Sequence, residues 1–418
     1  MVSFVLPCNH LPLAFGGQQG LNGITQMKLA QAKLFFLCAA LAVFCGSAMA
    51  QLASSNLPIL VITTDDGNDV PDEPKTDAHL GIIWNGDGTT NNLTDPFNHY
   101  DGKIGIEKRG SSSLDLFPKV GYGFETRELD GSDKNFPLLG FPEENDWILH
   151  GPYSDKSLMR NALAYIMAGW IMEYAPRVKY CELVLNGDYK GVYILTEKIK
   201  RDKNRVDISA LNPDENTGDD VTGGYILGFD KTDDLFQETF PSSHPPYPGS
   251  GASTFFVYRY PEWETITPAQ KTYIQAHMDE VEWTLKSSNF KDSLNGYRKY
   301  FDVPAFIHYM FIQEIARNVD GYRLSTYFYK DKESLGGKIK MGPAWDFNLG
   351  FGNVDYCIGP GTSGWAFDFN DFCPNDGWVI HFWWDRMMED TAFTQEMCQR
   401  WKSLRQSTLS NERVEHLI

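Results

Sequence analysis

"GPAWDFNLGFGN", residues 342–353, sets an aspartate, a phenylalanine and an asparagine among glycines, directly after a run that reads as a strand. Asp346 then stands at a strand-to-loop corner, either as a metal ligand or as a turn residue whose carboxylate serves the local backbone. Upstream, "STYFYKDKESLGGKIKMGPAW", residues 325–345, reads as a hairpin. Before it, "ARNVDGYRLSTYFYKD", residues 316–331, places Asp320 after a helix and just ahead of a strand. Two aspartates therefore frame one hairpin.

Farther out, "LPILVITT", "HLGIIW", "GKIGIEKRG" and "YGFETREL" are short runs rich in branched residues, parted by Gly, Asn and Asp clusters, and predict strands. "DKSLMRNALAYIMAGWIM" predicts one helix with Leu158, Ala162, Ile166 and Trp170 on its stripe and Ser154 or Asp155 as cap. "YCELVLNGDYKGVYILTEKI", residues 180–199, predicts a hairpin, because Asn186 and Gly187 tolerate positive φ. Thr267, Pro268 and Gln270 form a capping box at the start of a helix, a second helix follows Asp302, and helical periodicity returns from His381. The order of elements gives an α+β fold with a β-rich N-terminal lobe and a helical C-terminal lobe.

Residues 27–50 carry Lys28 and Lys33, an apolar run from Leu34 to Cys45 and an Ala-Met-Ala end, which predicts a signal peptide cleaved after Ala50. Residues 1–26 read as an overextended start, 51–100 as an N-terminal β region, and 101–418 as the main domain, truncated at its C-terminus. The expectation is a secreted or cell-surface protein with no transmembrane segment in the mature chain. Formal charge is −18, and taking two lysines from the 37 basic residues leaves 35 against 55 acidic, a net −20 after cleavage. Such a balance argues against nucleic acid as a partner. Cys357 and Cys373 flank a Gly- and aromatic-rich loop and are expected to form a disulfide, with free buried thiols or a metal pair as the other readings. Trp365, Trp378, Trp383 and Trp384 suit either core or a ligand platform.

Phosphoryl transfer asks for a cation on the phosphates, a carboxylate-held metal and an aspartate that orients the hydroxyl nucleophile. In chain order the sequence offers Arg109, Lys119, Glu197, Asp320 and Asp346, and Gly110, Ser111, Ser112 and Ser113 add backbone and hydroxyl donors between two strands. A serine turn joining two strands is the plainer reading of that segment. A protein-kinase catalytic loop carries a metal-binding Asn five residues after its Asp, where Ser325 stands here. The nine histidines show no zinc spacing, and neither a nucleophile elbow nor a P-loop is present.

Together "KRGSSS", "FPKVGYGFET", "SDKSLMRNALAYIMA", "LVLNGDYKGVYILTEKI", "GGYILGFD" and "GPAWDFNLGFGN" resemble the CotH family of spore-coat-type atypical protein kinases over residues 100–400. The resemblance implies a reduced kinase-like fold that binds ATP and Mg2+ and phosphorylates serine in proteins of the cell surface or an extracellular assembly. It implies Asp320 as catalytic aspartate, Lys119 as phosphate-contacting lysine with Arg109, Ser111 and Ser112 nearby, Glu197 at the hinge strand, and Asp346 with Asn348 at the metal. Active members often read Trp-Asp-Phe-Asp, so Asn348 replaces an anionic ligand with a neutral one. A pseudokinase serving as an extracellular binding or structural protein is the alternative.

Overall fold

The computed structural model describes residues 52–232 and 238–418. The first lobe contains β1 (Ser54–Ser55), β2 (Ile59–Thr64), β3 (Thr76–Ile83), β4 (Asn91–Asn92), β5 (Tyr100–Arg109), β6 (Gly121–Thr126), β7 (Asp146–His150), β8 (Val178–Leu185) and β9 (Asp188–Glu197). β1 pairs with β4, and the rest close into a barrel in the order β2-β3-β5-β6-β7-β9-β8. Every neighbouring pair is antiparallel except the closing one, where β2 runs parallel to β8. Strand residues two apart share a face, and Leu60/Ile62, Leu80/Ile82, Ile104/Ile106, Leu183/Leu185 and Tyr193/Leu195 accordingly fill one buried cluster. Strands on either side of residue 100 belong to this one barrel, since β3 pairs with β5 from Thr76↔Ile106 to Ile82↔Tyr100. At the predicted hairpin Asn186 and Gly187 take φ of 50° and 82°.

Two helices lie within the barrel's connections, α1 (Ser112–Leu116) and α2 (Arg160–Ile171). The helix expected from Leu158 starts later, because Leu158 itself has φ 60°. Its N-cap is Met159, which makes no side-chain cap bond, and Asp155 from the preceding turn accepts the first helical N–H, that of Arg160, at 2.8 Å. Its buried residues are Asn161, Ala162, Ala164, Tyr165, Met167, Ala168 and Ile171, so of the stripe read from the sequence Ala162 is buried while Leu158, Ile166 and Trp170 are half-buried. The stripe turns because α2 packs on a helix of the second lobe, not on its own barrel alone.

That second lobe is built on a sheet of β10 (Tyr225–Phe229), β11 (Thr239–Pro241), β12 (Phe255–Tyr260), β13 (Thr326–Lys330) and β14 (Ile339–Met341), in the order β11-β12-β10-β13-β14. Around it lie α3 (Pro268–Lys286), α4 (Val303–Ala316), α5 (Phe369–Phe372), α6 (Trp383–Met388), α7 (Thr391–Arg405) and α8 (Asn411–Leu417). The Thr267–Gln270 capping box forms, and Asp302 caps α4 through the Ala305 N–H at 3.0 Å. Trp383 and Trp384 are fully buried in this lobe's core, which makes them packing residues. Cys357 and Cys373 are disulfide-bonded, as expected, with Cα atoms 6.0 Å apart. Among the described residues no helix is long and apolar enough to cross a membrane.

Gly223 opens β10's approach, and a Cβ there would stand 1.9 Å from the Lys332 backbone nitrogen. The contact is with main chain, which cannot swing aside. Gly223→Ala is therefore expected to cost about 1–3 kcal/mol, read as a lower denaturant midpoint at unchanged slope.

Candidate functional site

Asp346 follows β14 in the left-handed backbone region, φ 60°, which a non-glycine residue holds only when its surroundings fix it. Three hydrogen bonds do so. The Asp346 N–H donates to Tyr165 Oη at 3.0 Å, the Phe347 N–H to Asn161 Oδ1 at 2.6 Å, and the Asp346 carbonyl accepts from Asn318 Nδ2 at 3.1 Å. Trp345 stacks on Tyr165 with centroids 5.5 Å apart, and Phe347 is buried. Asn161 is itself oriented by His150 Nε2, 3.1 Å from its Nδ2. Burial pushes His150 down to about 4, with Lys119 adding to the shift and Asp155 opposing it. The imidazole thus stays neutral at ordinary pH and accepts from the amide. The three bonds to the corner itself all use its backbone. Among the described residues the Asp346 carboxylate accepts none, so it does not serve the local backbone as an Asx-turn would.

Asp320 lies in the loop after α4, whose C-cap Arg317 has φ 45°. Asn318 joins this loop to the corner: its Oδ1 accepts the Asp320 N–H at 3.3 Å, while its Nδ2 donates to Gln313 Oε1 and to the Asp346 carbonyl, each at 3.1 Å. One Asp320 oxygen takes Arg323 Nη2 at 2.8 Å, and Arg323 also holds Asp376 Oδ1 at 3.0 Å and the Trp378 carbonyl at 2.8 Å. Asn318→Ala leaves buried groups on both loops without partners, and is expected to cost about 1–3 kcal/mol. Thermal melts at matched pH check it.

A third carboxylate completes the cluster. Asp230, just past β10, accepts from Arg259 Nη2 at 2.6 Å and from the Lys231 N–H at 2.9 Å. Across the cleft, Lys231 Nζ donates to Ser112 Oγ at 2.8 Å. Burial pushes Asp346 up to about 7, the Asp320 and Asp230 charges add to this, and Lys231 and Arg109 oppose it. Asp320 is also raised, by burial first, against the pull of Arg323 and Lys231. These groups therefore feel one another's charge. No three carboxylate, imidazole or thiolate groups among the described residues close in tightly enough to hold a metal alone. Mg2+ normally needs only one or two carboxylates, completed by phosphate oxygens and water, and the donors here fit that pattern.

The residues singled out in the sequence divide into two groups. Arg109, the last residue of β5, is exposed, and its charge acts on Asp346. Ser112 reaches the cleft through Lys231, while Ser111 is exposed and caps the turn with its carbonyl, accepting the Leu114 N–H at 3.0 Å. Asn348 is half-buried beside Phe347, and its carbonyl accepts from Asn353 Nδ2 at 2.7 Å. Lys119 is engaged in the barrel, donating to the Val192 carbonyl at 2.6 Å, with its ammonium 4.5 Å from the Tyr193 ring centre. Glu197 ends β9, fully buried, and accepts from Arg177 Nη1 at 2.7 Å, the Arg177 N–H at 2.9 Å and Tyr174 Oη at 3.2 Å. Its oxygens hold the barrel's exit rather than facing the carboxylates. Sequence reading missed Asp230, Lys231, Asn318, Arg323, Asn161 and Tyr165. The one signal was that "GGYILGFD" ends in an aspartate.

A β lobe and a helix-rich lobe thus meet over clustered carboxylates, with Lys231 reaching across to Ser112. The family model described as CotH kinase protein matches residues 106–418, and the chain belongs to that family. A search of curated proteins finds no match.

Proposed function

We propose that the protein transfers the γ-phosphoryl group of ATP to a serine hydroxyl of a secreted or surface protein. The observation that carries this is the Asp346 carboxylate, held in place by its backbone, left without a hydrogen-bond partner among the described residues, and set among Asp320, Asp230 and two cations. Asp346 would hold Mg2+ together with Asn348, and the ion would neutralise charge on the phosphates. Asp320 would take the proton as the serine oxygen bonds to the γ-phosphorus. The bond from that phosphorus to the bridging oxygen breaks, and ADP leaves with the electron pair. Arg323 would keep Asp320 oriented.

A disulfide and the signal-like segment, which lies outside the described residues, support an oxidising location for both enzyme and acceptor. The test is transfer of labelled phosphate from ATP with Mg2+ to serine in an acceptor protein. Labelled phosphoserine is the expected product. Nucleotide binding with no transfer would instead favour the pseudokinase reading, toward which neutral Asn348 points.

A further inference from the structure

The cation that grips the nucleotide phosphates need not come from the lobe where the sequence places it. Lys119 donates to the Val192 carbonyl at 2.6 Å inside the barrel and lies over the Tyr193 ring, whereas the cations whose charge reaches Asp346 are Lys231 and Arg109. Lys231 belongs to the second lobe and sits next to Asp230. Its ammonium is 2.8 Å from Ser112 Oγ at the start of α1 and 5.6 Å from the Trp378 ring centre. Among the described residues it makes no ion pair, although its charge reaches two carboxylates, Asp346 and Asp320. An ammonium has three donors, and the hydroxyl takes one.

We infer that Lys231 is a phosphate-binding residue, and that its bond to Ser112 marks the place where the β- and γ-phosphates of a nucleotide lie between the two lobes. The inference rests on the ATP reading above. A phosphate entering there offers Lys231 a stronger, charge-assisted acceptor than a serine hydroxyl. It also gives Ser112 and Arg109 a shared anion to converge on. The Asp346 and Asp320 carboxylates, whose charges couple to Lys231, would then need a metal between themselves and the phosphate.

The experiment is isothermal titration of Mg-ATP, and separately of adenosine, into the full chain as wild type, Lys231→Ala and Lys231→Arg, with thermal melts of the same samples. Lys231→Ala is expected to weaken Mg-ATP by at least about tenfold, with adenosine affinity unchanged and Lys231→Arg recovering most of the loss. Equal Mg-ATP affinity in wild type and Lys231→Ala overturns the inference while leaving the kinase reading intact. Loss of adenosine and Mg-ATP alike also overturns it, since that pattern reports a damaged pocket. Absence of Mg-ATP binding by wild type overturns the kinase reading, and this inference with it.

Discussion

Asp346→Ala is expected to lower phosphate transfer by about a hundredfold to a thousandfold or more, the scale of removing one group that stabilises transition-state charge. The corner should survive the change, because its hydrogen bonds to Tyr165, Asn161 and Asn318 run through backbone atoms that alanine keeps. Alanine is penalised in the left-handed region by about 1–2 kcal/mol, so Asp346→Asn, which tolerates that region, is the conformational control. Both variants should lose transfer if the carboxylate is what matters. Labelling equal to wild type in both would remove Asp346 from the site. Activity lost in alanine but kept in asparagine would assign the residue a purely conformational role.

Asp346→Asn should also stabilise the protein, and the gain should depend on pH. Burial, with the Asp320 and Asp230 charges, raises the folded pKa from 3.8 to about 7. The native state then holds this proton more tightly than the unfolded chain does. The carboxyl costs nothing below the unfolded value, and stability falls as pH climbs from there to the folded value. Asparagine has no proton to lose. The two proteins should melt alike near pH 3.8 and diverge until pH reaches about 7, where the variant is ahead by about 1–3 kcal/mol after allowing for screening. Urea midpoints across that window are the measurement. Parallel curves at every pH would mean that Asp346 is not electrostatically strained. Glu314, also raised to about 7 by burial, titrates in both proteins and so cancels in the comparison.

Much of the fold was legible because its signals are local. Asn186-Gly187 set one hairpin, the Thr267–Gln270 box and Asp302 started two helices, and the glycine-bounded run before Asp346 gave the second hairpin. Barrel closure was not legible, since the parallel pairing of Ile59–Ile62 with Glu182–Leu185 joins segments that no short-range pattern connects. The site divides in the same way. Asp320 and Asp346 announced themselves by flanking a hairpin. Lys119 and Glu197 look equally available in sequence, and only the structure shows their partners: the Val192 carbonyl for one donor of Lys119, and Arg177 and Tyr174 for both oxygens of Glu197. Asp230 and Lys231 follow a strand with no chemical spacing of their own, so their part depends wholly on which sheet edge faces the serine loop.

Helix α2 leaves the barrel after β7 and returns to it at β8, yet it packs on α4 and holds the backbone of Asp346 and Phe347. It works as a strut. A wide hinge motion between the lobes would drag Tyr165 and Asn161 off the corner and unmake the site it was meant to open. The corner is thus held by the first lobe's helix through main-chain atoms, whereas Lys231 meets the segment carrying Ser112 through a single side-chain hydrogen bond.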